Sequence, residues 1–332
     1  MMDLKGMKIL VAGGAGFIGT HTVRRLLEEG AQVRATYFRK PPRIQDKRIE
    51  WMKADLRLPE DCKRATASMQ GVFICAANTQ GAAVIANSPL AHVTPNMVMN
   101  AQLFEAAYEA GVKKTLFISS GAAYPNTGTR AAREEDMFTA DPPDIYYPVG
   151  WMKRTGEILC RIYAEKLRNP MATVVVRPSN IYGPFDKFDF KTSHVTAALI
   201  RRVAERHNPL EVWGTGADVR DLIYIDDFID GLMSAFKTDE KFLTVNISSG
   251  TGVSVREILK TAIEVDGFDD ADIRFDPSKP STIPYRVIDN SFARERLGFA
   301  PKVMLDEGLR RTLEWYKANP FRESPHGLSV AL

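Results

Sequence analysis

Gly13, Gly16 and Gly19 stand between a short apolar run and a helical pattern. At this spacing the first glycine allows a sharp turn off a strand. The second lets a backbone approach a phosphate, and the third lets a helix pack close to a sheet. Phe17 and Ile18 open that helix, whose N-terminus would offer free N–H groups and a positive dipole end to a diphosphate. The chemistry implied is dinucleotide binding, although GxxGxxG differs by one residue from the common GxGxxG fingerprint. A tight turn with no ligand is the alternative.

Two further groups would contact the same ligand. Tyr37 falls where an Asp or Glu usually meets a ribose 2′-hydroxyl, and Arg39 and Lys40 follow it. Two bases without an acid favour a 2′-phosphate, hence NADP over NAD; the alternative is a solvated loop before Pro41-Pro42. Asp55 would accept from an adenine amino group with Leu56 beneath the ring, or else cap the helix opened by Leu58-Pro59-Glu60. Ala76 and Ala77 end an apolar strand with residues small enough for a cofactor to cross.

The elements that must position these residues alternate strand and helix. Strands are expected at Met7–Ala12, Gln32–Tyr37, Glu50–Leu56, Val72–Ala77, Lys114–Ser120 and Met171–Arg177, with long helices at 95–110 and 150–168. That alternation predicts an α/β fold, a Rossmann-like doubly wound parallel sheet. Beyond Pro178 aromatics, prolines and charges cluster, which predicts a smaller, discontinuous α/β substrate domain. The expected division is 1–178 with about 217–247 for the dinucleotide-binding domain, and about 179–216 with 248–320 for the other.

The chain has 332 residues, 45% hydrophobic and 26% charged, with a formal net charge of +3. Charges of both signs are mixed along it, so neither a nucleic-acid tail nor a polybasic membrane segment is expected. No apolar stretch approaches a membrane span. Cys62, Cys75 and Cys160 are far apart and lack metal spacing, as in reduced thiols of a cytoplasmic protein.

Several spaced motifs then agree: the GxxGxxG turn, Asp55-Leu56, Ser119-Ser120-x-x-x-Tyr124, Lys153 followed by Gly156-Glu157, Arg177-Pro178-x-Asn180-x-Tyr182-Gly183-Pro184, and Arg220-Asp221. With these the chain resembles the extended short-chain dehydrogenases/reductases of the nucleotide-sugar epimerase/dehydratase family, over essentially residues 7–318. Within that family it is most similar to the GDP-L-fucose synthase branch, the GDP-4-keto-6-deoxymannose epimerase-reductases. The stretches 82–87, 182–188, Ser193-His194-Val195, Arg201-Arg202 and 212–216 carry that finer likeness.

The resemblance implies a Ser–Tyr–Lys group acting on a sugar oxygen while hydride moves to or from a nicotinamide. Ser120 and Lys153 match the Ser and the Lys. The Tyr belongs at position 149, where this chain has Val149. Tyr146 and Tyr147 are the nearby candidates to replace it, or they are packing aromatics at a helix start. His194 matches the epimerisation His, or is a structural histidine, whereas the partner Cys falls at Ala122. Asn96 matches the family's helix Asn, or is an N-cap. Pro178 and Asn180 would border the cofactor, with Asn180 and Val195 on the substrate side. Arg202, Arg220 and Trp213 match a nucleoside-diphosphate pocket, and Lys187 and Arg286 are further anion contacts.

The expectation is therefore a cytoplasmic NAD(P)-dependent enzyme acting at C4 of a nucleoside-diphosphate sugar, with a GDP-linked sugar favoured. A homodimer through the helices 95–110 and 150–168 is implied as well. The rivals are a regulatory protein that has kept the pockets but lost turnover, and an NADPH-dependent reductase of small non-sugar ketones.

Overall fold

The structure, a computed structural model, describes residues 2–78, 88, 90–278 and 283–321; the 82–87 stretch quoted above lies outside the described residues. Apolar residues fill the central strands: Lys8–Ala12 (β1), Gly71–Ile74 (β4), Lys114–Ile118 (β5) and Ala172–Pro178 (β6) are nearly continuous buried runs. Strands buried on both faces require helices on both sides. Gln32–Tyr37 (β2) and Ile49–Lys53 (β3) extend one edge, and Phe242–Ile247 (β10) forms the other. The order is β10-β6-β5-β4-β1-β2-β3, and every pairing is parallel. The doubly wound sheet is thus as expected.

The order reverses between β1 and β4, where Ala12 pairs with Ile74. A ligand crevice belongs outside the carboxyl ends of the strands at such a reversal. Helix α1 (Phe17–Glu28) leaves β1 there and buries Val23, Leu26 and Leu27 against the sheet.

Beyond β6 the chain builds smaller sheets. Val219–Tyr224 (β9) pairs with Asn180–Tyr182 (β7), Gly252–Ser254 (β11) and Tyr285–Arg286 (β13), while Leu210–Trp213 (β8) pairs with Ile273–Asp276 (β12). β9 takes all its partners from the smaller sheet, and the chain rejoins the large sheet through the helix Ile225–Phe236 and β10.

Two helix bounds also move. The helix expected at 95–110 runs Leu90–Glu109 (α3), and that expected at 150–168 runs Tyr147–Glu165 (α4); the two pack against each other. Pro95 imitates a helix start but lies inside α3. Its missing N–H leaves the Ala91 carbonyl without a helical donor. The Asn78 side chain donates to that carbonyl at 2.8 Å.

Candidate active site

At the β1 carboxyl end, Gly13 adopts φ +81° and a Cβ there would lie 2.6 Å from Ala76 Cα. A Cβ on Gly19 would lie 2.1 Å from the Gly13 carbonyl oxygen. No side chain fits either place, so the turn is a bare backbone cradle. Gly16, the N-cap of α1, has no side chain to occupy the first-turn N–H groups, which a diphosphate would fill. The Thr36 hydroxyl on β2 accepts from Gly13 N at 2.9 Å, tying the turn to the neighbouring strand. Phe17 and Ile18 are half-buried, Ala76 is half-buried and Ala77 is exposed at the mouth.

Around this cradle the expected contacts take definite places. Arg39 and Lys40 are exposed just after β2. Leu56 is buried. Asp55 is no helix cap: it accepts from Arg57 N and Arg57 Nε, while the next helix starts at Pro59 with Leu58 as its N-cap. Arg57 and further basic neighbours hold its carboxyl below the usual range. Asn96 is not an N-cap either. It lies in the second turn of α3, accepts from Asn78 N at 2.8 Å and donates to Asn78 O at 2.9 Å. It therefore clasps the chain leaving β4.

Beside the cradle, Lys153 Nζ donates to the Ile118 carbonyl at 2.8 Å. Burial pushes its pKa down to about 8. Ser120 caps the turn Gly121–Ala123 by accepting from Ala122 N at 3.1 Å, which leaves its own O–H proton to donate. Val149 precedes Lys153 by one helical turn and so shares its face. Tyr146 precedes Val149 in the chain, and Tyr147 is edge-on to Trp151. Tyr146 also lies within electrostatic reach of Arg286. Of the two tyrosines, Tyr146 is the half-buried one, at the N-cap of α4, and Tyr147 is the exposed one. Tyr124 has another use: fully buried, it donates to Asn246 Oδ1 at 2.5 Å and accepts from Arg177 at 3.1 Å, and burial raises its pKa.

The other wall carries the basic residues. Arg220 and Arg286 are register partners on β9 and β13. Arg286 donates to the carbonyls of Pro125 and Tyr124, its buried Nε has no partner among the described residues, and burial pushes its pKa down to about 10. Two cations opposed on a sheet repel; Arg220 is answered by Asp218 at 3.0 Å, whereas Arg286 has no salt bridge among the described residues. Arg220 also donates to the Ile283 carbonyl and Arg202 to the Glu211 carbonyl. Trp213 is 58% exposed.

His194 is the N-cap of Val195–Ala204, with no hydrogen bond from its ring among the described residues. It keeps exposed surface, yet the dense protein around it and nearby Lys187 lower its pKa. Val195, next in the chain, and Asn180 are exposed, and Pro178 is buried at the β6 end. Burial, then Lys40 and Arg43, push the Lys187 pKa down to about 8. Sequence reasoning gave no role to Arg43, His21 or Phe185; Arg43 and His21 meet around Phe185. His21 directly follows the glycine turn, and Phe185 follows Tyr182-Gly183-Pro184.

Among the described residues no cluster of His, Cys, Asp or Glu is arranged to hold a metal, and no helix is long and apolar enough to cross a membrane.

The chain matches the family described as NAD dependent epimerase/dehydratase over residues 9–248. It is 31% identical to a GDP-L-fucose synthase of Sinorhizobium fredii, over 96% of this chain and 98% of the relative. It is 30% identical to a GDP-mannose 3,5-epimerase of Arabidopsis thaliana, over 99% of this chain and 87% of the relative. Among solved structures, a UDP-glucose 4-epimerase of Thermotoga maritima with UDP-glucose superposes with a TM-score of 0.84 at 27% identity, covering 94% of this chain and 99% of that one.

Proposed function

The chain belongs to the NAD-dependent epimerase/dehydratase family, and on that premise we propose that it is an enzyme transferring hydride at C4 of a GDP-linked nucleoside-diphosphate sugar. The net reaction is reduction of a 4-keto sugar or a transient oxidation within an epimerisation. One observation carries the reading: the glycine cradle, Ser120 and Lys153 lie at the carboxyl ends of one parallel sheet, and Arg286, register partner of Arg220, is bonded to the Tyr124 and Pro125 carbonyls just beyond Ser120. The cradle suits a diphosphate-bridged dinucleotide, and the arginine pair suits the substrate's diphosphate.

A bound nicotinamide supplies reversible hydride transfer. The chain's own residues handle the proton. Ser120, with its O–H proton uncommitted, would hydrogen-bond the C4 oxygen. Lys153, held beside the Ile118 carbonyl, would bind the nicotinamide ribose and provide positive charge. Tyr146, half-buried at the α4 N-cap, would exchange the proton in place of a residue at 149. Losing a positioned acid/base costs about 10²–10⁴-fold in rate, so Tyr146→Phe should show a loss of that order and Tyr147→Phe little. Turnover of GDP-, dTDP-, CDP- and UDP-sugars with NADP(H) or NAD(H) measures it; undiminished rates after Tyr146→Phe and Lys153→Met would refute this assignment.

Arg39 and Lys40, with no acid at Tyr37, support NADP. Met97 and Val98 of α3 with Ile158 and Ile162 of α4 form an exposed apolar face, which supports a homodimer through these helices. Val149 and Ala122 favour a second reading, a regulatory protein that binds both ligands without turnover. Tight GDP-sugar binding with no product would select it.

A further inference from the structure

The segment joining β2 to β3 is fastened at its middle to a distant part of the chain. Arg43 donates to the Phe185 carbonyl, and its guanidinium lies over the Phe185 ring, 5.6 Å from the centroid. The adjoining Pro184 carbonyl accepts from His21 of α1 at 3.0 Å. The His21 ring also meets Phe185 edge-on at 5.6 Å, and Trp315 packs against Phe185 from behind at 5.0 Å. Phe185 holds φ +70°, a conformation rare for a residue with a ring beyond Cβ and found where neighbours over-determine the backbone, at clamps and switches.

These contacts close a circuit. Gly13 N is bonded to Thr36 of β2, β2 leads to Arg43, Arg43 reaches Phe185, Phe185 and Pro184 reach His21, and α1 returns from His21 to the glycine turn. A dinucleotide with its diphosphate on the α1 N-terminus and its adenosine beyond the β2 end runs through that circuit. Arg39 and Lys40 ride on the same segment.

We propose that residues 38–48 form a strap, latched by Arg43 and His21 onto the Pro184–Phe185 turn, that retains the dinucleotide and must unlatch for it to enter or leave. The inference rests on the dinucleotide-binding part of the function proposed above, and on no substrate. A cofactor held this way is oxidised and reduced in place, which suits a redox-neutral epimerisation better than a reduction needing exchange at every turnover.

The test is the kinetics of dinucleotide binding without sugar, read from nicotinamide fluorescence. NADPH or NADH is mixed with the protein for the on-rate and chased with excess oxidised cofactor for the off-rate. A latch and a phosphate contact predict opposite signs. Losing a latch should speed both entry and exit, by about tenfold for one charge-assisted hydrogen bond. Losing a phosphate-binding cation would slow entry while speeding exit. Arg43→Ala should therefore raise both rates, with affinity changing less than either. Phe185→Gly keeps the accepting carbonyl but removes the ring contacts, and should raise both rates by a smaller factor. Unchanged rates in the two variants, or a faster exit with a slower entry, would overturn the strap while leaving the proposed function standing. If the wild-type protein binds neither cofactor, the function reading falls and the strap with it.

Discussion

Arg177 and Arg286 are both buried beside the candidate site, and their surroundings treat them oppositely. Arg177 meets the Glu157 carboxylate through Nε and Nη2, the Tyr124 hydroxyl at 3.1 Å and the Glu134 carbonyl at 2.8 Å. Despite burial, Tyr124 and Glu157 raise its pKa. Arg286 has two carbonyls, an unpartnered Nε, a second arginine opposite and a lowered pKa. A buried cation with its counter-ion is complete within the fold. One given only carbonyls retains unused affinity for an anion. The counter-ion that Arg177 has in Glu157, and that Arg286 lacks among the described residues, separates the two.

The largest expected effect comes from breaking the complete pair. Arg177→Met leaves Glu157 buried without its cation, a change that costs about 3–5 kcal/mol in comparable pairs. Urea unfolding of the ligand-free protein measures it, and a loss below 1 kcal/mol would show that Glu157 finds another partner. Arg286→Met should reverse the pattern. Its main loss should be affinity for the nucleoside diphosphate, by about 10–100-fold for a charged hydrogen-bond donor. Calorimetric titration with GDP and UDP reads this. An unchanged affinity, or a stability loss matching that of Arg177→Met, would erase the distinction. A smaller effect, about 1 kcal/mol of stability, should follow Asn96→Ala, which frees both backbone groups of Asn78, an exposed residue that water can partly satisfy.

How far this was legible from sequence follows from the range of the interactions. The sheet announced itself because fully buried strands read as apolar runs and their glycine-bounded ends are local. Ser120 and Lys153 were legible as spaced matches, since each keeps its place in a turn or a helix. The start of α3 was not, because Pro95 has the look of a first-turn proline and the group compensating for it, Asn78, is 13 residues upstream of Ala91. The uses of Tyr124 and Arg177 were hidden for a similar reason. Their partners Asn246 and Glu157 come from distant segments, and no periodicity links them. Tyr146 and Tyr147 were equivalent in the sequence and became distinct only once the start of α4 left the first half-buried and the second exposed.

The smallest effect sharpens the comparison, because Lys153 borders both regions. Glu157 is one helical turn from it and its charge favours the ammonium, but the carboxylate is hydrogen-bonded to Arg177 and Ser119. Lys153 therefore resembles Arg286 in being a cation bonded to a carbonyl, though half-buried rather than buried, and desolvation pushes its pKa down from 10.5 to about 8. The sign of the consequence is fixed. Between about 8 and 10.5 the unfolded chain holds a proton that the folded chain has released, so stability rises with pH in that window, and below 8 the burial cost is fully present. From pH 8 to pH 9 the ligand-free protein should gain about 1 kcal/mol relative to Lys153→Met, by the arithmetic of one proton. Unfolding by urea at the two pH values tests this. A parallel response of the two proteins would mean that Glu157 still neutralises Lys153, and the division of acids between scaffold and site would then stop short of this lysine.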